Sequence, residues 1–92
     1  MMSKRKGTRN EHGSIRLLEA AGYSCTRSAG SLGVFDLVGI GKTDVVLVQV
    51  KTRDWPSTDD LEVLRDFSCP PNCRKLVHRW RDRIHLPDVK EL

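Results

Sequence analysis

The chain lacks the features that would assign it to a membrane, a secretory route or a disulfide-stabilised scaffold. No apolar run approaches the ~20 residues that a membrane-spanning helix needs. The basic N-terminus is followed by polar residues, which is not the pattern of a secretory signal. Three cysteines, an odd number, argue against a disulfide framework and are typical of a reducing compartment. We therefore expect a cytoplasmic protein, located in the host cytoplasm if a phage encodes the chain.

The sequence has fewer acidic than basic residues. Sixteen lysines and arginines face 12 aspartates and glutamates, which gives a net charge of +4. The charged fraction of 30% and the hydrophobic fraction of 38% are ordinary for a soluble globular protein, and 92 residues suffice for one domain with a small core. The positive excess suits a polyanionic partner such as nucleic acid, although charge alone does not identify one.

The order of apolar patterns and turn residues predicts one α+β domain. Residues 1–9 are basic and aperiodic and are interpreted as a flexible arm, while residues 10–92 form the domain. A first helix is expected from about Asn10 to Ala21, ending at Gly22, and Ser57 begins a second helix with a capping-box-like start. Strands are expected at residues 23–28, 34–40, 45–51, 75–80 and 84–86. This order, α-β-β-β-α-β-β, predicts a mixed sheet with two helices packed on it.

Two neighbouring apolar runs carry polar residues that buried strands do not tolerate without partners. Residues 34–40 contain Asp36, and residues 45–51 end with Gln49 and Lys51. An unpaired buried charge is costly, so these side chains require compensating groups. If the loop between the runs has an even number of residues, Asp36 lies opposite Gln49. Gln49 and Lys51 share one face of their strand, about 6.6 Å apart.

These polar side chains suit the hydrolysis of a phosphodiester bond. That reaction requires a cation on the phosphate oxygens, an activated water and a positive group near the developing charge. Magnesium prefers oxygen ligands and keeps several waters, so one or two carboxylates and an amide oxygen suffice. Asp36 and the carbonyl oxygen of Gln49 are the candidate ligands for Mg²⁺ or Mn²⁺. Glu11, which helical spacing places on the buried stripe with Ile15 and Leu18, is the third.

Basic and hydroxyl side chains around this site are candidates for contact with a nucleic acid. Lys51 is expected beside the attacking water or the scissile phosphate, and Arg27 and Ser31 flank the same strand junction. The predicted catalytic residues are Glu11, Asp36, Gln49, Lys51 and Ser31. The predicted DNA-binding residues are Arg27, Ser28, Lys4, Arg5, Lys6, Arg9 and Arg53.

This ordered set resembles the PD-(D/E)XK nuclease superfamily, most closely the small archaeal-type Holliday-junction resolvases. The segments that carry the resemblance are Glu11, Gly22-Tyr23, Arg27-Ser28-Ala29-Gly30-Ser31, Val34-Phe35-Asp36-Leu37-Val38 and Val48-Gln49-Val50-Lys51-Thr52. The resemblance implies a restriction-endonuclease-like core of order αβββαβ, three-layer-like, and a divalent-metal-dependent DNA endonuclease. It also implies that the helix glutamate, the strand aspartate, the next strand's acid and its lysine form the site, and that the arginine and the last serine of the Arg-Ser-Ala-Gly-Ser stretch assist. In this chain these positions are Glu11, Asp36, Gln49, Lys51, Arg27 and Ser31.

The chain departs from this pattern at two positions of the site. Gln49 stands where the common motif has an acid, although some branches of the superfamily carry glutamine there. The neutral amide still offers an oxygen, but it removes one negative charge and should lower the affinity for the metal. His12 follows Glu11 where resolvases of this type often have an arginine. The chain is also short for that family, which leaves less surface for a branched junction.

Cutting a junction requires paired cuts on two strands, so the leading prediction includes a homodimer bound to branched DNA. Two alternatives remain open at this point: another DNA nuclease of the superfamily, restriction-like, flap or repair, and a DNA-binding module whose weakened metal site no longer cuts. A late basic cluster is interpreted either as a DNA-facing stripe or as a solvated face. Its members are Arg74, Lys75, Arg79, Arg81 and Arg83.

Overall fold

A computed structural model of the protein describes residues 2–28 and 34–92, with side chains from Thr8 onward. Within these ranges the secondary structure follows the predicted order α-β-β-β-α-β-β. The elements are α1 (Met2–Ala20), β1 (Ser24–Arg27), β2 (Leu37–Ile40), β3 (Val45–Thr52), α2 (Thr58–Asp66), β4 (Cys73–Trp80) and β5 (Asp88–Glu91).

The described strands form a mixed sheet in the order β1-β2-β3-β4-β5. β3 and β4 are parallel because α2 connects them as a crossover, whereas the other neighbours are antiparallel. The β2–β3 hairpin closes at the pair Ile40 and Val45. The loop therefore has an even number of residues, the condition on which the expected position of Asp36 opposite Gln49 depended.

Side chains alternate across β3 and therefore serve two separate apolar cores. Val46 and Val48 pack with Leu18 of α1, whereas Leu47 packs with Leu64 of α2. The two helices thus cover opposite faces of the sheet, which confirms the predicted three-layer arrangement. The core on the α1 face contains Leu18, Leu37, Val46, Val48 and Leu76. The core on the α2 face contains Phe35, Leu47, Leu64 and Val77.

Two helix boundaries lie where the sequence predicts them. Gly22 follows the end of α1 with φ of +99°, a left-handed conformation that glycine adopts without strain. Ser57 is the N-cap of α2, and its side chain accepts a hydrogen bond of 3.1 Å from the Asp60 N–H. Both features are local, so they can be read from a few consecutive residues.

The start of α1 differs from the sequence-based expectation. α1 begins at Met2, so the boundary near Asn10 and the aperiodic arm are wrong for residues 2–9. These residues include no proline, and lysine and arginine are strong helix formers. Helix propensity therefore extends α1 through a stretch that lacks an apolar stripe.

The last strand also lies later than predicted, at Asp88–Glu91 instead of residues 84–86. Arg83 has φ of +63° and turns the chain, and the side chains of Ile84 and Leu86 are 40% and 61% exposed. Pro87 has no N–H to donate to a ladder, so pairing with β4 begins only after it, at Asp88 opposite Arg79.

Candidate active site

Asp36 lies at the end of the β2–β3 ladder that is remote from the hairpin loop. The paired register ends at Leu37, and the Asp36 N–H donates to the Val48 carbonyl at 2.9 Å. This bond is shifted by one residue from the regular ladder, in which Asp36 would pair with Gln49. The Asp36 carboxylate accepts a hydrogen bond of 2.7 Å from the Val50 N–H through Oδ2. The side chain is therefore fixed against β3 at the point where the paired region opens.

Three of the other predicted site residues, Glu11, Lys51 and Arg27, lie within electrostatic range of Asp36. Burial raises the pKa of Asp36 above its ordinary value, and the hydrogen bond from Val50 opposes this effect. Glu11 raises the same pKa further, whereas Lys51 and Arg27 lower it. Asp36 is thus a partly buried acid within electrostatic range of a carboxylate, an ammonium and a guanidinium.

Gln49 has a satisfied donor and an unsatisfied acceptor. Its Nε2 donates to the Val34 carbonyl at 3.3 Å, while its Oε1 is buried and has no hydrogen-bond partner among the described residues. Buried acceptors nearly always have a partner, so this oxygen is available to a ligand. Lys51 is half-buried and lies two residues further along β3, on the face that Gln49 shares with Leu47.

Glu11 contributes a second buried oxygen without a hydrogen-bond donor. Its side chain is 19% exposed, and Arg27 Nε lies 2.8 Å from Glu11 Oε1. That separation makes an ion pair, but Glu11 Oε1 accepts no hydrogen bond within the described part of the chain. The two findings agree if the guanidinium N–H is not directed at the oxygen, because a hydrogen bond depends on the angle as well as the distance. Arg27 therefore balances the charge of Glu11 without saturating it.

The side chains of Asp36, Glu11 and Gln49 offer oxygen donors, the type that Mg²⁺ prefers. Asp36 offers a carboxylate, and Glu11 and Gln49 each offer a buried oxygen that lacks a donor. Residues 2–28 and 34–92 contain no group of three His, Cys, Asp or Glu side chains arranged to hold a metal. Two carboxylates and one amide oxygen are nevertheless compatible with Mg²⁺, which retains several of its waters. The neutral charge of Gln49 is expected to weaken binding relative to an acid at the same position.

The structure describes only some of the side chains that are predicted to contact DNA. Ser31 lies outside the described residues, and the side chains of Lys4, Arg5 and Lys6 are not among those described, although their backbone belongs to α1. Arg9 and Arg53 are exposed. These positions remain predicted contacts.

Ser28 has an internal role instead of the predicted contact with DNA. Its side chain is buried, with 8% of the residue exposed, and its hydroxyl donates to the Phe35 carbonyl. The Ser28 N–H also donates to the Asp36 carbonyl at 2.9 Å. Ser28 therefore holds the segment that carries Asp36.

One contact that no sequence pattern indicates joins α1 to the end of β3. Asn10 Nδ2 donates to Thr52 Oγ1 at 2.8 Å. Each of these residues is adjacent in the chain to a predicted site residue, Glu11 and Lys51 respectively. Because 42 residues separate them, no local spacing reveals the pair.

The late basic cluster does not form a single stripe. Arg74 pairs with Glu91 and Arg79 pairs with Asp88, at 2.8 and 2.7 Å. Lys75 Nζ donates to the carbonyl of a residue in α2. These three side chains of β4 are engaged within the protein, so the DNA-facing interpretation is disfavoured for them.

Comparisons with known proteins agree with this geometry. The chain is 40% identical over 68 residues to the crossover junction endodeoxyribonuclease Hjc of Methanocaldococcus jannaschii, covering 70% of this chain and 50% of that protein. The solved structure of Hjc from Archaeoglobus fulgidus, a Holliday junction resolvase, matches with a TM-score of 0.68 and 28% identity. The chain is a homologue of the archaeal Hjc resolvases. This relationship confirms the predicted resemblance and the predicted fold.

The extent of these matches differs between the two relatives. The structural match covers 86% of this chain and 67% of the Archaeoglobus chain. The sequence match spans about half the length of the Methanocaldococcus protein. No family model matches the sequence. No helix in the described residues is both long and apolar enough to cross a bilayer.

Proposed function

We propose that this protein is a divalent-metal-dependent endonuclease that cuts branched DNA, with the Holliday junction as its substrate. One observation carries the proposal. The buried oxygens Glu11 Oε1 and Gln49 Oε1 lack hydrogen-bond donors within the described residues, in a site with Asp36 and Lys51, in a homologue of a crossover junction endodeoxyribonuclease. A DNA substrate also supports the expected location of the protein in the cytoplasm.

The chain's own groups have distinct roles in this proposal. Asp36, Gln49 and Glu11 would hold Mg²⁺ or Mn²⁺, which when bound polarises the scissile phosphate and lowers the pKa of a water. The Val50 N–H fixes one oxygen of the Asp36 carboxylate and thereby orients the other. The Lys51 ammonium stabilises negative charge that develops on the phosphate or orients the attacking water.

Arg27 is a positioning residue in this scheme. Its guanidinium lies 2.8 Å from Glu11, so it balances the charge of that carboxylate in the absence of the metal. With 51% of its side chain exposed, Arg27 remains accessible to a phosphate oxygen of the substrate.

A homodimer completes the proposal, because two cuts on opposed strands require two active sites. β1 and β5 form the edges of the described sheet, and pairing or packing at an edge is a common way to bury it. Sedimentation equilibrium with and without a four-way junction measures the state directly. A protein that stays monomeric in both conditions contradicts the dimer.

Cleavage of labelled substrates tests the main proposal. In Mg²⁺ we expect the four-way junction to be cut in preference to a linear duplex and a flap. Asp36→Asn and Lys51→Gln should abolish cutting, whereas Asp66→Asn and Lys42→Gln, matched exchanges at exposed positions, should leave it unchanged. Equal cutting of all three substrates, or none of any, overturns the junction-specific proposal.

A second candidate is a DNA-binding module that no longer cuts, and the neutral side chain of Gln49 favours it. Calorimetric titration with Mn²⁺ separates the two candidates, since absence of measurable binding even with DNA present supports the module. Under either candidate the affinity for DNA should fall steeply with added salt. A flat response argues against a nucleic-acid partner.

A further inference from the structure

A pocket of about 460 Å³ lies between α1 and the loop that joins β4 to β5. Arg9 and Arg16 line it from α1, Arg81 and Arg83 line it from the loop, and Trp80 forms part of its wall. The pocket is distinct from the candidate active site, because none of Glu11, Asp36, Gln49 or Lys51 lines it.

The charge of this pocket is strongly positive. Four arginines are among its lining residues, against a single acidic residue, Asp82. Arg81 is paired with Asp88 at 3.0 Å. Arg9, Arg16 and Arg83 have no ion-pair partner within residues 2–28 and 34–92. A concave surface with more arginines than acidic residues attracts anions.

The walls of the pocket hold these groups in place. Arg9 and Arg16 lie two helical turns apart on one side of α1, about 10 Å along the helix axis. The Trp80 indole donates to Ser14 Oγ at 2.9 Å and lies so close to Gly13 that a Cβ there would come within 2.9 Å of the ring. The aromatic wall is therefore fixed against α1.

Arg83 reaches the pocket from a strained backbone. Its φ of +63° lies in the left-handed region, which disfavours side chains other than those of glycine, asparagine and aspartate. The conformation turns the chain between β4 and β5, and Arg83 is one of the residues that line the pocket. Glycine or asparagine would satisfy the turn with less strain, so the presence of arginine calls for a role of its side chain.

The pocket adjoins the candidate active site through two lining residues. Asn10 and Thr52 line it, are bonded to each other at 2.8 Å, and neighbour Glu11 and Lys51 in the chain. A DNA strand that crosses the end of β3, where Lys51 and Thr52 follow each other, would therefore bring its flanking phosphates close to this pocket.

We propose that the pocket between α1 and the β4–β5 loop binds backbone phosphates of the DNA arm that flanks the cut. This inference rests on the proposed function, because it takes DNA as the ligand. The pocket supplies affinity and no reacting group, so its loss should weaken binding without slowing the bond-breaking step.

Binding of a fluorescent four-way junction in EDTA, measured by anisotropy over a range of salt concentrations, tests the proposal without cleavage. The variants are Arg16→Gln, Arg83→Asn and their combination, because glutamine preserves helix propensity and asparagine tolerates the left-handed backbone. Arg65→Gln is the matched control, an exposed arginine of α2 with the same change of charge.

Each single variant should bind the junction about five- to tenfold more weakly and reduce the slope of log K against log salt by about 1, and the combination should reduce the slope by about 2. The control should match the unmodified protein, and turnover of saturated complexes in Mg²⁺ should be the same for all. Pocket variants that bind like Arg65→Gln, or that slow saturated turnover at unchanged affinity, overturn the inference.

The outcome remains distinguishable from failure of the proposed function. If the unmodified protein cuts junctions while the pocket variants bind normally, the pocket proposal alone is wrong. If the protein cuts no DNA but the pocket variants lose affinity and salt slope, the pocket proposal holds and the nuclease proposal is wrong. Thermal melting of each variant confirms that the fold is retained.

Discussion

The polar side chains at the two ends of the central strands differ in how fully they are hydrogen-bonded and in how deeply they are buried. At the hairpin end, the Tyr23 hydroxyl donates to Asp44 at 2.7 Å, and Arg74 lies 3.8 Å from the same carboxylate. Arg74 also donates to both oxygens of Glu91, at 3.0 and 2.8 Å. The donors and acceptors of this cluster are paired with one another, although the cluster is largely exposed.

At the other end, the polar groups are more buried and less satisfied. Gln49 Oε1 has no hydrogen-bond donor among the described residues, Glu11 Oε1 has an ion pair with Arg27 but no hydrogen bond, and burial raises the pKa of Asp36. A buried acceptor without a donor costs about 1–3 kcal/mol, so folding alone does not favour this arrangement. The contrast indicates that the hairpin end supports the fold, whereas the opposite end is arranged for a ligand.

Replacing a carboxylate with an amide at each end should give the largest contrast. Asp36→Asn removes a ligand of the metal, and cleavage should fall about a thousandfold or more, since the metal supplies several kcal/mol. The metal-free variant should be as stable as the parent or more so, because the ionised acid is disfavoured by burial and the amide can still accept from Val50.

Asp44→Asn should show the reverse at the hairpin end. Cleavage is retained, while the free energy of unfolding falls by about 1 kcal/mol because a charged acceptor is lost from Tyr23 and Arg74. Urea denaturation and junction cleavage measure both variants. The comparison fails if Asp36→Asn is the more destabilising of the two.

Acid should act on the fold through His78, which lies on β4. His78 is 4% exposed, and burial lowers its pKa from 6.5 to about 4. Between these values the unfolded chain binds a proton that the folded protein excludes, so the stability conferred by neutral His78 declines as pH falls from 6.5 to 4. The total loss is roughly 3 kcal/mol.

Denaturation at several pH values checks this effect. His78→Gln should flatten the pH dependence in that window, whereas His85→Gln, at an exposed position, should preserve it. An unchanged slope in the first variant contradicts the assignment. Comparisons of metal binding between the two ends belong above pH 6.5, where this loss is absent.

Gln49→Glu should lower the stability of the metal-free protein and raise its affinity for Mn²⁺. The carboxylate cannot donate to the Val34 carbonyl as Nε2 does at 3.3 Å, so the metal-free protein should lose about 1 kcal/mol. The added negative charge should raise the affinity for Mn²⁺ about tenfold or more. Calorimetry and denaturation measure the two effects.

Asn72→Asp is the matched control for this exchange. Asn72 also donates from its amide to a backbone carbonyl, that of Thr43 at 3.4 Å, but in an exposed setting at the hairpin end. The same chemical change there should alter neither stability nor Mn²⁺ affinity measurably. Equal behaviour of the two variants would remove the distinction between the ends.

Arg74→Gln should have the smallest effect. Its side chain is 46% exposed, and exposed ion pairs contribute about 0.2–1 kcal/mol. The loss should shrink further in high salt, and Mn²⁺ affinity should not change. A larger loss that persists in high salt would show that the hairpin end is more than a surface network.

Patterns with a short period were predicted correctly from the sequence. The two apolar runs predicted as strands contain β2 and β3, and the polar residues Asp36, Gln49 and Lys51 are conspicuous within these runs. The end of α1 at Gly22 and the cap at Ser57 depend on a few neighbouring residues.

Features that depend on packing between distant segments were not predictable in this way. The bond between Asn10 and Thr52 and the pocket shared by Arg16 and Arg83 require the tertiary fold. The start of α1 was missed because residues 2–9 contain no periodic apolar pattern that would predict a helix. Whether a buried oxygen such as Gln49 Oε1 has a donor is likewise visible only in three dimensions.

A crystal of the protein soaked in Mn²⁺, with diffraction recorded at a wavelength where manganese scatters anomalously, tests the central claim most directly. We predict an anomalous peak in coordination distance of the Asp36 carboxylate and Gln49 Oε1, with Glu11 directed toward the same ion or one of its waters. A Gln49 Oε1 that accepts from a protein donor, with manganese bound elsewhere or absent, would contradict the account.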